Sequence, residues 1–206
     1  ANKQIGNGWP ARVIYPGDWT GNGYPDLMLI KSNGDLMLYQ GLSGERFSAA
    51  RKIGNGWDGI DWVQGGVDWD GYGNTDLVAR VASTGDLRLY SGNGRGGFKS
   101  SKKIGNGWSS LKHLTLTRTA KGPGIYAVTS GGQMLYYPGT GRGGFGKKQP
   151  LGYGWNTMTA LVPGTRSKVG DGWGSMTVMG SANQLKAKSA LWAVDTSGRL
   201  YSHGVR

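Results

Sequence analysis

A Gly-x-Gly-Trp signature recurs along the chain and constrains the architecture more than any other feature. It reads IGNGW at 5–9, 53–57 and 104–108, LGYGW at 151–155 and VGDGW at 169–173. The first four signature tryptophans are separated by 48, 51 and 47 residues. Self-similarity at a period of roughly 40–50 residues indicates one supersecondary unit that is repeated several times.

A second pair of aromatic positions repeats in phase with the signature. Three tyrosines each precede a phenylalanine by eight residues, and each phenylalanine precedes the next signature tryptophan by ten. The pairs are Tyr39 with Phe47, Tyr90 with Phe98, and Tyr137 with Phe145. Between them lie short apolar stretches bounded by Gly, Asn, Asp or Ser, which is the pattern of strands and tight turns. No segment has the sustained 3.6-residue apolar period of a helix.

We therefore predict an all-β fold, a small β-propeller that forms a single domain over residues 1–206. About four short strands per repeat is typical of a propeller blade. The repeats cover about 5–52, 53–103, 104–150 and 151–206, the last together with 1–4. Four blades is the favoured number, and five is the alternative because 151–206 holds two signatures. Residues 2–8 match the strand that ends each repeat, so we expect them to complete the last blade.

Composition limits the chemistry that is open to the chain. The 40 glycines have no collagen-like period and are interpreted as turn residues. Without cysteine, neither disulfides nor Cys-ligated zinc is available, which is compatible with the secreted location that we expect. No apolar run reaches the roughly 18 residues of a membrane span. We expect a monomer.

Positive charge is concentrated in the second half of the chain. Residues 1–100 hold ten Lys and Arg against ten Asp and Glu, whereas residues 101–206 hold fourteen against two. Such asymmetry points to an anionic partner, such as an acidic polysaccharide, a teichoic-acid-like polymer or nucleic acid. The alternative is that the high charge only keeps the protein soluble.

Two repeats carry a regular acidic loop at the same place, DWTGNGYPD at 18–26 and DWDGYGNTD at 68–76. Oxygen atoms at alternate positions, with glycines between them, can converge on one hard cation, and Ca²⁺ accepts six to eight oxygen ligands. One or two Ca²⁺ sites are therefore predicted. The candidate ligands are Asp18, Thr20, Asn22, Tyr24 through its carbonyl, Asp26, Asp68, Asp70, Asn74 and Asp76. The alternative is that these side chains form Asx turns without metal.

The matching stretches of the later repeats have lost their carboxylates. The third reads TRTAKGPGI at 117–125, and the last, at 182–190, contains two lysines. A cation there would face like charge, so no Ca²⁺ is expected in either stretch.

Three sequence fragments carry a resemblance to a known family. The loop pattern D-x-[DNT]-G-x-G-x-x-D-L, then G-x-L-x-L-Y-x-G and G-x-G-G-F, resembles the FG-GAP/VCBS-type repeat over 5–150 and loosely over 151–206. That repeat occurs in integrin α-subunit propellers and in secreted bacterial proteins, often beside hydrolases. The resemblance implies a propeller with Ca²⁺ in some blade loops. The KKIGNGW segment is also similar to the repeats of tachylectin-type propellers, which bind sugars.

Candidate catalytic residues are sparse, and we expect no enzyme activity. The chain has two histidines, His113 and His203, which are interpreted as strand residues, and one glutamate. The acidic pairs Asp58 and Asp61, and Asp68 and Asp70, each offer the two carboxylates that a glycosidase needs. Asp68 and Asp70 are better explained by the acidic loop, and nothing else supports that chemistry.

The five signature tryptophans are the candidate ligand-binding residues: Trp9, Trp57, Trp108, Trp155 and Trp173. Buried, they would fill the space between adjacent blades; exposed, they would offer equivalent stacking platforms for sugar rings. Two further tryptophans, Trp19 and Trp69, are predicted to pack within their own acidic loops.

The favoured function is non-catalytic, multivalent binding of a carbohydrate or an anionic cell-wall polymer. A protein-interaction propeller, or an accessory domain of a secreted hydrolase, is the alternative. Nucleic-acid binding is disfavoured because no recognised motif accompanies the charge.

Overall fold

The chain folds into antiparallel β-sheets whose turns coincide with the Gly, Asn and Asp clusters of the sequence. The computed structural model describes residues 3–7 and 12–155, and beyond them the strands at 176–181, 190–195 and 200–204. Within these ranges there is no α-helix, and two single-turn 3-10 helices occur at Trp57–Gly59 and Trp108–Ser110. The all-β prediction is confirmed. None of the described helices has the length and apolar character to span a bilayer.

The strands follow the repeats of the sequence. The chain begins with β1 (Lys3–Gly6), and the first repeat forms β2 (Val13–Gly17), β3 (Asp26–Ile30), β4 (Leu36–Tyr39), the short hairpin β5 (Gly41–Leu42) and β6 (Arg46–Phe47), and β7 (Arg51–Gly54). The second forms β8 (Ile60–Val67), β9 (Asp76–Val81), β10 (Leu87–Gly92) and β11 (Phe98–Gly105). The third forms β12 (Leu111–Thr119), β13 (Gly122–Thr129), β14 (Met134–Pro138) and β15 (Gln149–Gly152). The last described strands are β16 (Met176–Ser181), β17 (Ala190–Asp195) and β18 (Leu200–Gly204).

Sixteen of these strands form four antiparallel sheets of four strands each, and β5 and β6 pair with each other as a separate two-stranded sheet. Three of them follow chain order, β2-β3-β4-β7, β8-β9-β10-β11 and β12-β13-β14-β15. In the fourth, β16, β17 and β18 are joined by β1, with Lys3 opposite Ser202 and Gln4 opposite Tyr201. The N-terminal strand is thus hydrogen-bonded to the C-terminal one, at the outer edge of the last sheet. The arrangement agrees with a small propeller, while the number of blades and the closure of a ring stay predictions.

Neighbouring sheets meet along their first strands. Strand β2 contacts both β8 and β16, and β8 contacts β12. Polar side chains join β8 to β12: the Trp62 Nε1 donates to the carbonyl oxygen of Leu114 over 3.1 Å, and the Gln64 Oε1 accepts from the amide of Leu116 over 2.6 Å. The last strands β7, β11 and β15 are largely exposed. Each of the first three sheets therefore has a first strand that contacts a neighbouring sheet and a last strand that is largely exposed.

The core lies between successive sheets. One hydrophobic cluster joins the first sheet to the second and includes Trp19, Met28 and Trp57. A second cluster joins the second sheet to the third and includes Trp69 and Trp108. Full burial of one large apolar side chain stabilises a fold by about 1.5–3 kcal/mol, so these clusters hold the sheets together.

The acidic loops of the first two repeats have no counterpart in the third. Strand β12 extends to Thr119, which pairs with Gly122 at the start of β13. Without carboxylates to organise an open loop, the two strands pair almost to their ends. His113 lies in β12 and His203 in β18, so both are strand residues, as the sequence predicted. Most of the last repeat's matching stretch, 182–189, lies outside the described residues.

Candidate functional site

The signature carries its tryptophan into the gap between two sheets. Its second glycine, Gly56, has a left-handed backbone with φ of 71°, and a 3-10 turn begins at Trp57. The amide of Trp57 then donates to the carbonyl oxygen of Gly34, in a hairpin turn of the preceding sheet, over 3.0 Å. The same 3.0 Å bond joins Trp108 to Gly85 and Trp155 to Gly132. In these three copies, the signature therefore fixes the backbone at its tryptophan in the same way.

The first glycine of the signature makes room for the indole. A Cβ atom at Gly54 would lie 2.8 Å from the Nε1 of Trp57. At Gly105 it would lie 2.6 Å from the Nε1 of Trp108. Both distances are shorter than van der Waals contact, so a side chain at either position would displace the ring. The two glycines thus have separate tasks, close approach at the first and a left-handed turn at the second.

The indole of Trp57 is 5% exposed and packs against two rings of the next sheet. Its centroid lies 4.7 Å from that of Tyr90 and 6.0 Å from that of Phe98. From the preceding sheet, Trp19 meets Phe98 edge to face at 5.3 Å. Aromatic pairs in these geometries contribute about 0.5–1.5 kcal/mol beyond area burial. The Tyr, Phe and Trp positions that repeat in the sequence form one packed unit between sheets.

The same unit recurs between the second and third sheets. The ring of Trp108 lies 4.5 Å from Tyr137 and 5.3 Å from Phe145, centroid to centroid. Trp69 meets Phe145 edge to face at 5.1 Å. The recurrence shows that the two sheet junctions are built alike.

The prediction that Trp19 and Trp69 pack within their own loops was wrong. Both are buried against a phenylalanine of the following sheet. The reason is that the Gly-rich turn before each outer strand folds over the acidic loop of the preceding sheet. In the turn before β11, the amide of Gly96 donates to the carbonyl oxygen of Trp19 over 3.2 Å. In the turn before β15, the amide of Gly143 donates to the carbonyl oxygen of Trp69 over 3.3 Å.

An open cleft of about 320 Å³ lies beside the first of these aromatic units. We call it the Trp57 cleft. Its apolar wall is formed by Ile53, Trp57, Tyr90 and Phe98, and its polar rim by Lys99, Ser100 and Ser101 of β11. Aromatic faces beside hydroxyl and ammonium donors suit a ligand that has both C–H faces and polar oxygens.

The rim of the Trp57 cleft adjoins the second acidic loop. The Nζ of Lys99 stands 3.7 Å above the ring centroid of Tyr72, which is a cation–π contact. Tyr72 itself is 69% exposed. The cleft and the loop therefore form one continuous surface.

The structure describes three of the five signature tryptophans, and their burial differs. Trp57 and Trp108 are buried between sheets, and Trp57 forms part of a cleft wall. Trp155 is half-buried at the end of the continuous described range. Trp9 and Trp173 lie outside the described residues. The buried position agrees with the inter-blade interpretation of Trp57 and Trp108, and contact of any of the five with a ligand stays a prediction.

The carboxylates of the first acidic loop are held by backbone amides. The donors are Asn22 and Gly23 for Asp18, and Thr20 and Gly41 for Asp26, at 2.7–3.0 Å. Asn22 also uses its side chain within the protein: its Oδ1 accepts from the amide of Tyr24, and its Nδ2 donates to the carbonyl oxygen of Gly41. Burial, above all, raises the pKa of Asp26. These hydrogen bonds follow the Asx-turn pattern, and a Ca²⁺ ion in this loop stays a prediction.

Three carboxylates converge in the second acidic loop. One oxygen from each of Asp68, Asp70 and Asp76 lies within 4.8 Å of the others. Asp76 is buried and accepts hydrogen bonds from the amides of Trp69, Asp70 and Gly92. Ser91 Oγ donates to Asp70 Oδ2 over 2.5 Å.

Ionising all three carboxylates of this cluster costs free energy unless a cation offsets their negative charge. Burial, and to a smaller extent the negative charge of Asp70, raise the pKa of Asp76 to about 6. Three hard oxygen donors at this separation fit a divalent cation such as Ca²⁺. Asn74, the fourth predicted ligand of this loop, lies against the backbone of Gly94 in the turn before β11.

The comparisons with known proteins support the fold. No protein-family profile matches the chain, and no characterised protein matches it in sequence. Among solved structures, the chain is similar to a lectin of Agrocybe aegerita that is described as recognising non-reducing terminal N-acetylglucosamine. The TM-score is 0.51 and the sequence identity is 18%, and the match covers 71% of this chain and 39% of the lectin. The BP39L lectin of Burkholderia pseudomallei gives a TM-score of 0.45, 13% identity, and coverage of 98% and 53%.

This chain spans less than two thirds of the length of either lectin. The likeness to the Agrocybe protein shows that the sheets have the β-propeller-like fold of a lectin. The resemblance to FG-GAP/VCBS repeats stays a prediction.

Several residues of the Trp57 cleft were not predicted as site residues. Tyr90 and Phe98 stand out in the sequence through their fixed distance from the signature, but that spacing predicts a repeat and not a binding site. Lys99, Ser100 and Ser101 give no sequence signal of their own, and their place in the cleft follows from the pairing of β11 with β10.

Proposed function

We propose that this chain is a non-catalytic carbohydrate-binding module that holds sugars in clefts between adjacent blades of a propeller. The observation that carries the proposal is the Trp57 cleft, where an aromatic wall stands beside a rim of two serines and a lysine. Sugar rings present apolar C–H faces that stack on aromatic rings, and hydroxyl groups that hydrogen-bond to such a rim. The lectin whose fold this chain shares supports the same ligand class.

Repetition of the aromatic unit makes the module multivalent in this proposal. The four sheets form a four-bladed ring in which β1 closes the last blade, and similar clefts lie between blades. Several weak sites that engage one polymer raise avidity by roughly 10²–10⁴ without any new contact. Multivalency of this kind suits a secreted monomer that binds a cell-wall or other surface polysaccharide.

The lining of the Trp57 cleft supports a binding function over hydrolysis. Glycosidases place two carboxyl groups on either side of the bond that they break. The residues that line this cleft include neither aspartate nor glutamate. The nearest acidic cluster, Asp68, Asp70 and Asp76, is engaged with the backbone of its own loop.

We further propose one Ca²⁺ in the second acidic loop. Asp68, Asp70 and Asp76 would hold it, and its positive charge would offset the repulsion among the three carboxylates. The ion would serve to fix the loop that carries Tyr72, which borders the cleft.

Glycan-array binding, measured with and without EDTA and at low and moderate salt, tests the proposal. Binding that free sugar inhibits and that survives moderate salt is the expected result. Loss with EDTA would link the loop to the cleft. Binding to every polyanion, abolished by moderate salt, would reduce the function to charge alone. Binding to neither class would overturn the proposal and favour a protein partner.

A further inference from the structure

The two sheet junctions share an aromatic wall but differ at the rim. In the Trp57 cleft, the three residues after Phe98 are Lys99, Ser100 and Ser101. At the second junction the equivalent rings are Trp108, Tyr137 and Phe145, and by this equivalence we call the surface beside them the Trp108 cleft. The three residues after that phenylalanine are Gly146, Lys147 and Lys148, all of them exposed. The rim has therefore lost two hydroxyl groups and gained a second ammonium group, while the one ammonium group of the Trp57 cleft, on Lys99, lies over the ring of Tyr72.

Strand pairing places one of these lysines on the aromatic face. In the second sheet, Ser101 lies opposite Tyr90 and lines the cleft. In the third sheet, Tyr136 lies opposite Gln149, and extending this register one residue beyond β15 brings Lys148 opposite Tyr137. Residues opposite each other in an antiparallel pair project to the same face. Lys148 thus takes at the Trp108 cleft the position that Ser101 has at the Trp57 cleft.

No acid in the surrounding sequence neutralises this rim. Between Asp86 and Asp171 the chain has no carboxylate side chain. In the first two sheets, a lysine of the outer strand pairs with an aspartate of the hairpin turn, Lys52 with Asp35 at 2.5 Å and Lys103 with Asp86 at 2.8 Å. The third sheet has Gln133 and Pro150 at the matching positions.

The ammonium groups are consequently available to a ligand. In the part of the chain that the structure describes, neither Lys147 nor Lys148 forms an ion pair. Charge-assisted hydrogen bonds from ammonium to an anion are shorter and about twice as strong as neutral ones. An exposed lysine pair beside a stacking wall therefore selects a ligand that has both a ring face and a negative charge.

We propose that the Trp108 cleft binds a sugar unit carrying an anionic group, a carboxylate, phosphate or sulfate, whereas the Trp57 cleft binds a neutral unit. The inference rests on the proposed function and specifies the ligand class of one of its clefts. The sugar ring stacks against the aromatic wall, and the anionic substituent reaches Lys147 and Lys148. One chain would then bind both the neutral and the anionic sugar units of a mixed polymer.

The test compares neutral and anionic sugars that are otherwise matched. N-acetylglucosamine is paired with N-acetylglucosamine 6-phosphate, and glucose with glucuronic acid, to separate phosphate from carboxylate. Binding is measured at constant ionic strength for the wild type and for the double variant Lys147→Ser/Lys148→Ser, which copies the Ser100–Ser101 rim. The control is Lys112→Ser/Lys121→Ser, which removes the same charge from the first strand and the turn of the third sheet.

We expect the rim variant to lose affinity for at least one anionic sugar by roughly tenfold or more, and to keep its affinity for the neutral partner. The control should keep both affinities within about twofold. Equal losses in the rim variant and the control would show that only overall charge matters, and would overturn the inference. Unchanged anionic binding in the rim variant would also overturn it while leaving the proposed function intact. If the wild type binds none of the four sugars or the array glycans, the proposed function itself fails.

Discussion

The rings of Trp57, in the turn that links the first sheet to the second, and Tyr90, in the second sheet, lie 4.7 Å apart, centroid to centroid. The matching pair, Trp108 and Tyr137, lies at 4.5 Å. At the first junction these rings also form the wall of the cleft. The contact that joins two sheets is therefore the surface that a ligand would meet, so stability and binding depend on the same residues.

Truncation of Trp57 should destabilise the protein strongly. Trp57→Ala removes a buried indole that bridges two sheets, and such a change costs about 3–5 kcal/mol of unfolding free energy. Chemical denaturation measures the loss. Tyr153→Ala is the control, because its ring is 75% exposed and its loss should cost no more than about 0.5 kcal/mol. A loss below about 1 kcal/mol in Trp57→Ala would contradict the assigned packing.

The two glycines of one signature should respond differently to substitution. Gly54→Ala places a methyl group against the Trp57 indole, so the ring must shift, and the near-UV circular dichroism of the buried indole should change. Gly56→Ala has open space but a left-handed backbone, so it should cost about 1–2 kcal/mol without moving the ring. Gly56→Asn should cost less, because asparagine tolerates that conformation. Identical spectra for Gly54→Ala and Gly56→Ala would refute the division of tasks.

Calcium should stabilise the protein through the second acidic loop. In differential scanning fluorimetry, millimolar Ca²⁺ should raise the melting temperature of the EDTA-treated wild type, because an ion that binds only the folded state shifts the equilibrium towards it. Asp68→Asn should abolish the shift. Asp58→Asn, which removes an exposed acid outside the loop, should retain it. No shift in the wild type would favour hydrogen-bonded Asx turns without metal.

In the absence of calcium, Asp76 should make the protein less stable as the pH rises. Its pKa is raised from 3.8 to about 6, mainly by burial, so the folded state binds the proton more tightly than the unfolded state does. The stabilisation is present below about pH 4 and is lost as the pH rises through about 6. Denaturation of the wild type and of Asp76→Asn in EDTA, from pH 4 to 7, measures the difference. A stability difference that stays constant over this range would show that Asp76 does not titrate there.

The sequence predicted the repeat and its strands because both follow from local patterns. The spacing of the signature tryptophans and the Gly and Asp turns between apolar stretches mark the strands of each sheet. The packing of Trp19 on Phe98 was not predictable in this way, since it joins two repeats through a turn that folds back over a loop. The periodicity of the sequence shows which positions of the repeats are equivalent, but it does not show which residues of one repeat contact the next repeat.

The same limit applies to the acidic loops. Spacing alone made the two loops look alike, yet only the second has a third carboxylate, Asp70, to bring beside its end acids. In the first loop, Thr20 occupies that position and bonds to Asp26. The rim of the Trp57 cleft, at Ser100 and Ser101, depends on strand register that the sequence does not display.

The central claim, that sugars bind in the aromatic clefts between sheets, is tested most directly by filling one cleft. Ser101 is exposed and lies opposite Tyr90 on the cleft face, so Ser101→Trp occupies the Trp57 cleft without removing any core side chain. Ser83→Trp, in the exposed turn between β9 and β10, is the matched control. Isothermal titration with a neutral glycan that the array selects should show the number of binding sites reduced by one in Ser101→Trp and unchanged in Ser83→Trp. An unchanged number of sites and affinity in the folded Ser101→Trp variant would contradict the claim.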